Sequence, residues 1–213
     1  MDTLLKVIKS IDKNSCPYKI NFHCHTKFSD GTLNPVDLYK QACDNNITNI
    51  AITDHHTIKG YKLLRSSLDL LCNEPYRPNL WSGVEISGLL DGSLVHIIAL
   101  GFDINNLDMQ KYLQGNSVKG INLKAESIVS AIHNANGLCI LAHPARYKLH
   151  FNHLILEAAK IGFDGIEVWY DYERSSIWKA TPFICDKIYS LTHKLGMLTT
   201  CGTDTHGTSI LCR

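Results

Sequence analysis

Long apolar segments are missing from this 213-residue chain. A membrane-spanning helix needs about 18 or more consecutive apolar residues, and no run in the sequence approaches that length. Residues 1–17 contain an early acidic residue, Asp2, and lysines among the apolar positions, which is not typical of a signal peptide. One face of a short helix is instead indicated by the spacing of Leu4, Leu5, Ile8 and Ile11. We therefore expect a cytoplasmic protein without a membrane partner.

An excess of charge of one sign is also missing. Lys and Arg total 21 and Asp and Glu total 20, so the net charge is +1. This balance argues against a polycationic arm or an acidic tail, and tight binding of long duplex nucleic acid is not expected. Apolar residues make up 45% and charged residues 19%, as in an ordinary globular protein. We predict a single domain over residues 1–213, with residues 1–17 as an N-terminal helical extension.

The eight cysteines include no Cys-x-x-Cys pair, and several lie inside apolar runs. This scatter favours buried, reduced thiols over a disulfide framework. The glycine-rich motifs of nucleotide-binding folds are missing as well. Histidine, in contrast, occurs 11 times, against three methionines and three tryptophans.

Short apolar runs alternate with segments of helical period. The runs cover residues 20–22, 50–52, 80–86, 94–100, 138–142, 165–169 and 197–200. Helical patterns cover residues 35–45, 59–72, 121–136, 153–161 and 182–195. Thr32 or Asn34 can cap the first of these helices, and Pro35 suits its first position. The alternation predicts parallel strands covered by helices, except for one hairpin with Asp91-Gly92 at its turn. About seven strands favour an α/β barrel slightly short of eight units, with an open doubly wound sheet as the alternative.

Most of the apolar runs end in residues that can bind metal. The segments after the runs are His23-Cys24-His25, Thr53-Asp54-His55-His56, Glu85, His143-Pro144 and Gly202-Thr203-Asp204-Thr205-His206. The carboxyl ends of parallel strands in a barrel converge on one face, where active sites are built. These segments are therefore expected to surround one pocket, although they are far apart in sequence.

The spacing within these segments supports a shared metal site. Residues i and i+2 of a strand point the same way, so His23 and His25 can hold one ion, and Asp204 and His206 repeat the pattern. Two further residues are expected to join them: Asp30 by folding back over the site, and His96 by lying near Glu85. No role is expected for His133 and His193, which lie in helical patterns.

Seven segments together resemble the motifs of the PHP (polymerase and histidinol phosphatase) superfamily. In order, they are HCHTKFSDG, ITDHHTIKGY, GVEIS, VHIIALGFD, LAHPARY, GFDGIEVWY and CGTDTHG. The similarity runs over residues 18–207 and is closest in style to small bacterial PHP metal-dependent phosphoesterases. That group includes enzymes that act on nucleoside 3′,5′-bisphosphates, short oligonucleotides and RNA 5′ ends.

The resemblance implies a fold, a metal centre and a reaction. The fold would be a distorted, TIM-like (β/α)₇ barrel holding two or three divalent ions, namely zinc, manganese or iron. The implied ligands are His23, His25, Asp30, His55, Glu85, His96, His143, Asp204 and His206, with Glu85 bridging ions. Arg146 would grip a substrate phosphate. One departure concerns the short interval between His96 and His143, where bisphosphate-cleaving relatives carry a long insert that helps to enclose the substrate.

These assignments lead to a working hypothesis for function. A metal-activated hydroxide would attack the phosphorus of a nucleotide or short oligonucleotide. Arg146 would hold the nonbridging oxygens. The leaving group would be protonated by a metal-bound water or by a nearby histidine, of which His206 is the first candidate. Trp169, with Tyr170, is a candidate for stacking on a base. The alternatives are a phosphatase acting on another small metabolite such as histidinol phosphate, a non-catalytic metal-binding PHP module, and a carbon–nitrogen hydrolase. The last of these would normally use a metal-bridging lysine.

Overall fold

A computed structural model describes residues 1–68 and 76–213 of the chain. The described residues form a mixed α/β fold of eight strands and seven α-helices. The strands are β1 (Ile20–Asn21), β2 (Asn49–Ala51), β3 (Asn79–Trp81), β4 (Gly83–Leu90), β5 (Ser93–Leu100), β6 (Leu138–Leu141), β7 (Gly165–Trp169) and β8 (Leu198–Cys201). The helices are α1 (Asp2–Lys9), α2 (Pro35–Asp44), α3 (Lys59–Ser67), α4 (Leu107–Gln110), α5 (Ala125–Asn134), α6 (Phe151–Ile161) and α7 (Pro182–Lys194).

The strands form two sheets rather than one continuous barrel. β1, β2 and β3 form a parallel sheet, and β4 to β8 form a second sheet in chain order. Isolated bridges join the two sheets at both edges, between Cys24 and Thr205 and between His55 and Glu85. The mixed α/β class is confirmed, whereas a closed barrel is not, because no continuous ladder crosses these seams in the described residues.

The hairpin of β4 and β5 follows the sequence prediction. Its eight-residue strands pair antiparallel, and Asp91 and Gly92 form the two-residue turn. Both turn residues have positive φ, 44° and 77°, as a turn that matches the twist of a hairpin requires. β5 also pairs antiparallel with β6, whereas β6, β7 and β8 are parallel.

The run predicted as one strand over 80–86 is two strands, so this prediction was wrong. The break falls at Ser82, whose hydroxyl donates to the carbonyl of Phe102 at 2.8 Å and whose carbonyl accepts from Gly101 at 2.8 Å. These bonds take Ser82 out of the ladder, so β3 stays in one sheet and β4 begins the other. The apolar pattern is the same on both sides of the break and does not reveal it.

The helices largely follow the predicted periodicity. Asn34, one of two predicted caps, accepts from the backbone N–H of Val36 at 3.1 Å, and Pro35 begins α2. α5 starts later than predicted, because Lys124 is extended and separates it from a 3₁₀ turn at Gly120–Leu123. The predicted end of the helix over 59–72 lies partly outside the described residues. In the described part of the chain, no helix combines the length and hydropathy needed to cross a membrane.

Two hydrophobic clusters hold the helices against the sheets. The larger one packs α1, α5, α6 and α7 on the five-stranded sheet, and the smaller one packs α2 and α3 on β2. As the sequence predicted, the buried thiols Cys16, Cys24, Cys139, Cys185 and Cys201 form no disulfide. In α1, Leu4 and Ile8 are 0% and 1% exposed and belong to the larger cluster. The N-terminal helix is therefore part of the packed core.

Truncating Leu4 tests whether α1 stabilises the whole fold. Leu4→Ala is expected to lower the free energy of unfolding by about 2–5 kcal/mol, because it leaves a cavity in the shared core. Urea denaturation would measure the change. Leu107→Ala is the control, since Leu107 is 86% exposed and its truncation should cost less than about 0.5 kcal/mol. Equal stability of the Leu4 variant and the wild type would show that packing of α1 does not stabilise the fold.

Candidate metal centre

Residues after β1 and β8 form the floor of the candidate metal centre. The Asp204 N–H donates to the His23 carbonyl at 2.8 Å, and the His25 N–H donates to the Thr205 carbonyl at 3.1 Å. A Cβ on Gly202 would lie 2.6 Å from the backbone nitrogen of His23, so only glycine allows this approach. The His23 and His25 side chains are buried, and their Nε2 atoms lie 3.1 Å apart. The predicted i, i+2 pair therefore points at one position.

The carboxylate of Glu85, on β4, lies between two groups of imidazoles. Its Oε2 is 3.0 Å from the Nε2 atoms of both His23 and His25 and 3.5 Å from Nδ1 of His55. Its Oε1 is 2.9 Å from Nδ1 of His96 and 3.3 Å from Nε2 of His143. Glu85 is only 1% exposed. A carboxylate in this position can serve two neighbouring ion positions, one on each oxygen.

The two oxygens of Asp204 also contact different partners. Oδ1 lies 3.3 Å from Nε2 of His23 and 3.2 Å from Nε2 of His25. Oδ2 accepts from Arg146 Nη1 at 2.9 Å, from the Tyr170 hydroxyl at 2.6 Å and from Arg213 Nε at 2.8 Å. The three donors fix the carboxylate, so that Oδ1 remains directed at the two histidines.

Asp30, His55 and His206 form the more exposed side of the centre. Asp30 Oδ2 lies 3.1 Å from His206 Nε2 and 3.6 Å from His55 Nε2, and the Asp30 side chain is 51% exposed. The loop that carries Asp30 folds back as predicted, because the Gly31 N–H donates to the Thr26 carbonyl at 3.1 Å. A Cβ on Gly31 would lie 2.5 Å from the His25 carbonyl carbon, so the turn requires glycine.

Four groups of side chains have donor atoms close enough to hold a metal ion. They are His25, Asp30, His55 and His206; His23, His25, Glu85 and Asp204; His23, His143 and Glu167; and His55, Glu85 and His96. The structure thus brings all nine predicted ligands into one cluster and adds Glu167. The groups share members, so the candidate ion positions adjoin one another.

The bonding of Glu85 and His96 fits a bound cation. Oε2 of Glu85 and Nδ1 of His96 are buried, yet neither has a hydrogen-bond partner of acceptable geometry among the described residues. Leaving buried polar atoms unpaired is costly, and each atom lies about 3 Å from another ligand atom. A metal ion held between such atoms would satisfy them. Histidine and carboxylate donors suit zinc, manganese or iron better than an all-oxygen site would.

The electrostatics of the cluster favour a divalent cation. Burial alone would raise the pKa of Glu85 and of Asp204, but His23 and the other nearby imidazoles hold both pKa values well below the usual range. Burial lowers the pKa of His55 to about 4, so its ring is a neutral donor at neutral pH. Burial also opposes protonation of His25, but hydrogen bonds with Asp204 and Glu85 raise its pKa to about 9. A metal ion held by His25 would have to displace this proton.

Two ligand positions have a backbone conformation that non-glycine residues seldom adopt. The φ angles are 28° at His143 and 53° at Asp204. Such conformations cost of order 1–3 kcal/mol each and persist only when the surrounding structure enforces them. Here the Asp204 N–H bond to His23 and the His143 N–H bond to Glu167, at 2.9 Å, hold both turns.

The two predicted substrate-binding residues differ in their placement. Arg146 lies at the cluster, against Asp204 and Tyr170, with its side chain 31% exposed. Trp169 is 6% exposed and stacks on Tyr189 of α7. The register shift between Glu167 and Trp169 in the β7–β8 pairing interrupts the alternation of side chains, and Tyr170 is the aromatic residue that contacts Asp204.

Sequence reasoning missed three residues of this centre: Glu167, Tyr147 and Arg213. Glu167 falls in a run that is predicted as a core strand, although a carboxylate inside an apolar run is itself a signal. Glu167 is 0% exposed and bonds His23 Nδ1 at 2.8 Å. Nothing in the local pattern around Arg213 indicates its contact with Asp204.

Comparison with known families agrees with this geometry. The PHP domain family matches residues 21–174. The chain therefore belongs to the PHP domain family, as the resemblance of its motifs predicted. The match includes the segments that carry His23, His55, Glu85, His96 and His143.

Individual relatives share the family and the fold. A 5'-3' exoribonuclease of Haemophilus influenzae is 28% identical over 152 residues, which cover 69% of this chain and 54% of that protein. The chain thus spans about half the length of that relative. A Bifidobacterium adolescentis protein described as a metal-dependent phosphoesterase superposes with a TM-score of 0.72 at 19% identity, covering 90% of this chain and 89% of that one. An amidohydrolase of Chromobacterium violaceum, solved with sulfate, superposes with a TM-score of 0.71 at 19% identity, covering 89% and 88%. The two structures show a common fold.

Replacing the central carboxylate tests the metal centre directly. Glu85→Gln is expected to lower the number of zinc or manganese ions retained after dialysis, because Glu85 faces two ion positions. Elemental analysis of the purified variants would count the ions. Glu126→Gln is the matched control, since Glu126 is exposed in the first turn of α5. Equal metal content in the Glu85 variant and the wild type would contradict the assignment of Glu85 as a ligand.

Proposed function

We propose that this chain is a metal-dependent phosphoesterase that hydrolyses phosphate esters of a nucleotide or short oligonucleotide. One observation carries the proposal: groups of His, Asp and Glu donors share Glu85, His23, His25 and His55, so adjoining ion positions surround one buried carboxylate. Neighbouring divalent ions can stabilise both the attacking and the leaving oxygen of a phosphoryl transfer. The two sheets, joined at both seams, are consistent with an interrupted form of the (β/α)₇ barrel.

The residues of the cluster would hold two or three ions of zinc, manganese or iron. When bound, these ions would supply an activated water and stabilise charge on the attacking and leaving oxygens. Glu85 would lie between ion positions, where a carbon–nitrogen hydrolase would normally use a lysine. This difference favours phosphate ester hydrolysis over the chemistry of the amidohydrolase that shares the fold.

Arg146 and His206 are the residues that would act on the substrate. Arg146 donates one nitrogen to Asp204 and keeps further N–H donors of its planar guanidinium for phosphate oxygens. His206 is 30% exposed, and its Nδ1 lies 2.8 Å from the backbone carbonyl of Asp204. Its Nε2 lies beside Asp30 at the exposed side of the cluster, where it can deliver a proton to a leaving oxygen when it is not itself bound to an ion.

Two cavities, one beside Arg146 and one beside His206, could each hold a different portion of a nucleotide or short oligonucleotide. One, of about 570 Å³, lies between the hairpin turn at Asp91 and the segment containing Arg146 and Lys148. Another, of about 240 Å³, is lined by Arg174, Ser175, His206 and Arg213. The cationic side chains suit anionic ligands, and the exoribonuclease relative favours a nucleotide or a short oligonucleotide. A base-stacking role for Trp169 stays a prediction.

Removing one ligand tests the catalytic role of the cluster. His25→Ala and Asp204→Ala are each expected to abolish hydrolysis, because each residue faces the ion position on the Oε2 side of Glu85. Activity would be followed as phosphate release from nucleoside bisphosphates, nucleoside monophosphates and histidinol phosphate, and as nucleotide release from short RNA. His193→Ala, an exposed change on α7, is the control and should be fully active. Full activity in either ligand variant would refute the proposal, and preference for histidinol phosphate would favour the metabolite phosphatase.

Substituting Arg146 tests phosphate binding separately from metal binding. Arg146→Ala is expected to raise KM and lower kcat/KM by about 10-fold or more, because a charge-assisted hydrogen bond worth about 1.5–3 kcal/mol is lost. Steady-state kinetics at saturating metal would measure the effect. Arg65→Ala, on the exposed surface of α3, is the matched control. An unchanged kcat/KM would remove Arg146 from the substrate site.

A further inference from the structure

Glu167 and Tyr147 each contact two ligand-bearing segments of the cluster. One oxygen of Glu167 lies 2.8 Å from His23 Nδ1, and the other accepts from the His143 backbone N–H at 2.9 Å. The Tyr147 hydroxyl accepts from the His96 backbone N–H at 2.7 Å and lies 3.1 Å from His143 Nδ1. These contacts form a chain in which Glu167 links His23 to His143, and Tyr147 links His143 to His96.

The contacts of Glu167 determine which nitrogen of His23 carries the proton. An ionised carboxylate only accepts hydrogen bonds, so Nδ1 of His23 must be the donor at 2.8 Å. When the His23 ring is neutral, as a metal ligand must be, its lone pair is therefore on Nε2, and this atom lies 3.0 Å from Glu85 and 3.3 Å from Asp204. Because Glu167 is 0% exposed, water does not compete for its oxygens.

The hydroxyl of Tyr147 determines the tautomer of His143 in a similar way. This hydroxyl has one proton, which it donates to the Ala142 carbonyl at 3.2 Å. Its oxygen accepts from the His96 N–H. Because the hydroxyl proton is directed to Ala142, the oxygen can bond Nδ1 of His143 only as an acceptor, which places a proton on Nδ1. Nε2 of His143 therefore presents its lone pair toward Glu85, 3.3 Å away.

We infer that Glu167 and Tyr147 are positioning residues that hold His23 and His143 in the tautomer with the proton on Nδ1, so that both bind metal through Nε2. Outer partners of this kind orient a ligand and raise its basicity, and their loss typically weakens metal binding by about 10–100-fold. Glu167 thus acts through His23 and the His143 backbone rather than as a ligand. The inference rests on the proposed metal centre and is independent of which ester is hydrolysed.

The test compares two conservative variants with two matched controls. Glu167→Gln keeps the shape of the side chain, and Tyr147→Phe removes only the hydroxyl. Asp164→Asn is the control for Glu167, since Asp164 also accepts from a backbone N–H, at Cys139, and contacts a histidine, His133. Tyr112→Phe is the control for Tyr147, because the Tyr112 hydroxyl donates to the Asn122 carbonyl and contacts no ligand among the described residues.

Zinc affinity and stoichiometry are the first measurements. Chelator competition should show zinc binding weakened by about 10–100-fold in each test variant and unchanged in the controls. At saturating zinc, each test variant should still bind as many ions as the wild type. A Glu167 variant that binds one ion fewer at saturation would show that Glu167 is a ligand, which would overturn the inference for that residue.

The proton positions on the imidazoles are the second measurement. Long-range ¹H–¹⁵N spectra of the zinc-loaded wild type should show Nδ1 protonated in His23 and His143. Tyr147→Phe should change the signals of His143 and leave those of His23 unaltered, whereas Glu167→Gln should change those of His23. Unchanged zinc affinity together with unchanged imidazole signals would show purely structural roles and overturn the inference. If Glu167→Gln does not fold, the result for Tyr147→Phe decides the outcome. A wild-type protein that binds zinc but hydrolyses no ester would contradict only the proposed function.

Discussion

The buried carboxylate of Glu85 is the constraint on which the rest of the centre depends. Burying an unpaired charge is expensive, and a protein tolerates it only when opposite charge or hydrogen bonds surround the group. Here the two oxygens lie within 3.5 Å of five imidazoles from four segments of the chain. The fold must therefore hold those segments in register, and a bound cation would compensate a charge that the described side chains leave partly unpaired.

Much of the ligand set was predictable because each strand end carries its own local signal. His23 and His25 follow a short apolar run at i, i+2 spacing, and Asp204 and His206 do the same at the other end of the chain. The convergence of parallel strand ends then brings together residues far apart in sequence. The placement of the glycines at 31 and 202 against the backbone of His25 and His23 completes this arrangement.

The parts that could not be predicted depend on contacts between distant segments. Glu167 lies in an apolar run that fits a core strand, and only the fold places it beside His23. The break at Ser82 depends on bonds to Gly101 and Phe102, and the apolar pattern continues across it. Alternation along β7 also misleads, because the register shift after Glu167 changes which aromatic residue contacts Asp204. Local periodicity specifies helices and strands. The position of Glu167, the break at Ser82 and the register shift in β7 instead depend on hydrogen bonds between distant segments.

The reversed direction of β5 has a consequence for the shape of the entrance. Because β4 continues from Glu85 to Leu90 before turning, the hairpin extends about 17 Å beyond the carboxylate. Its paired strands, and a 2.7 Å contact between Asp91 at the tip and His153 of α6, hold this side in one position. On the exposed side of the cluster, the Asp30 loop carries a carboxylate that is half exposed. The hairpin thus gives one side of the entrance two strands joined by backbone hydrogen bonds, far longer than the short strands that lead into the other ligands.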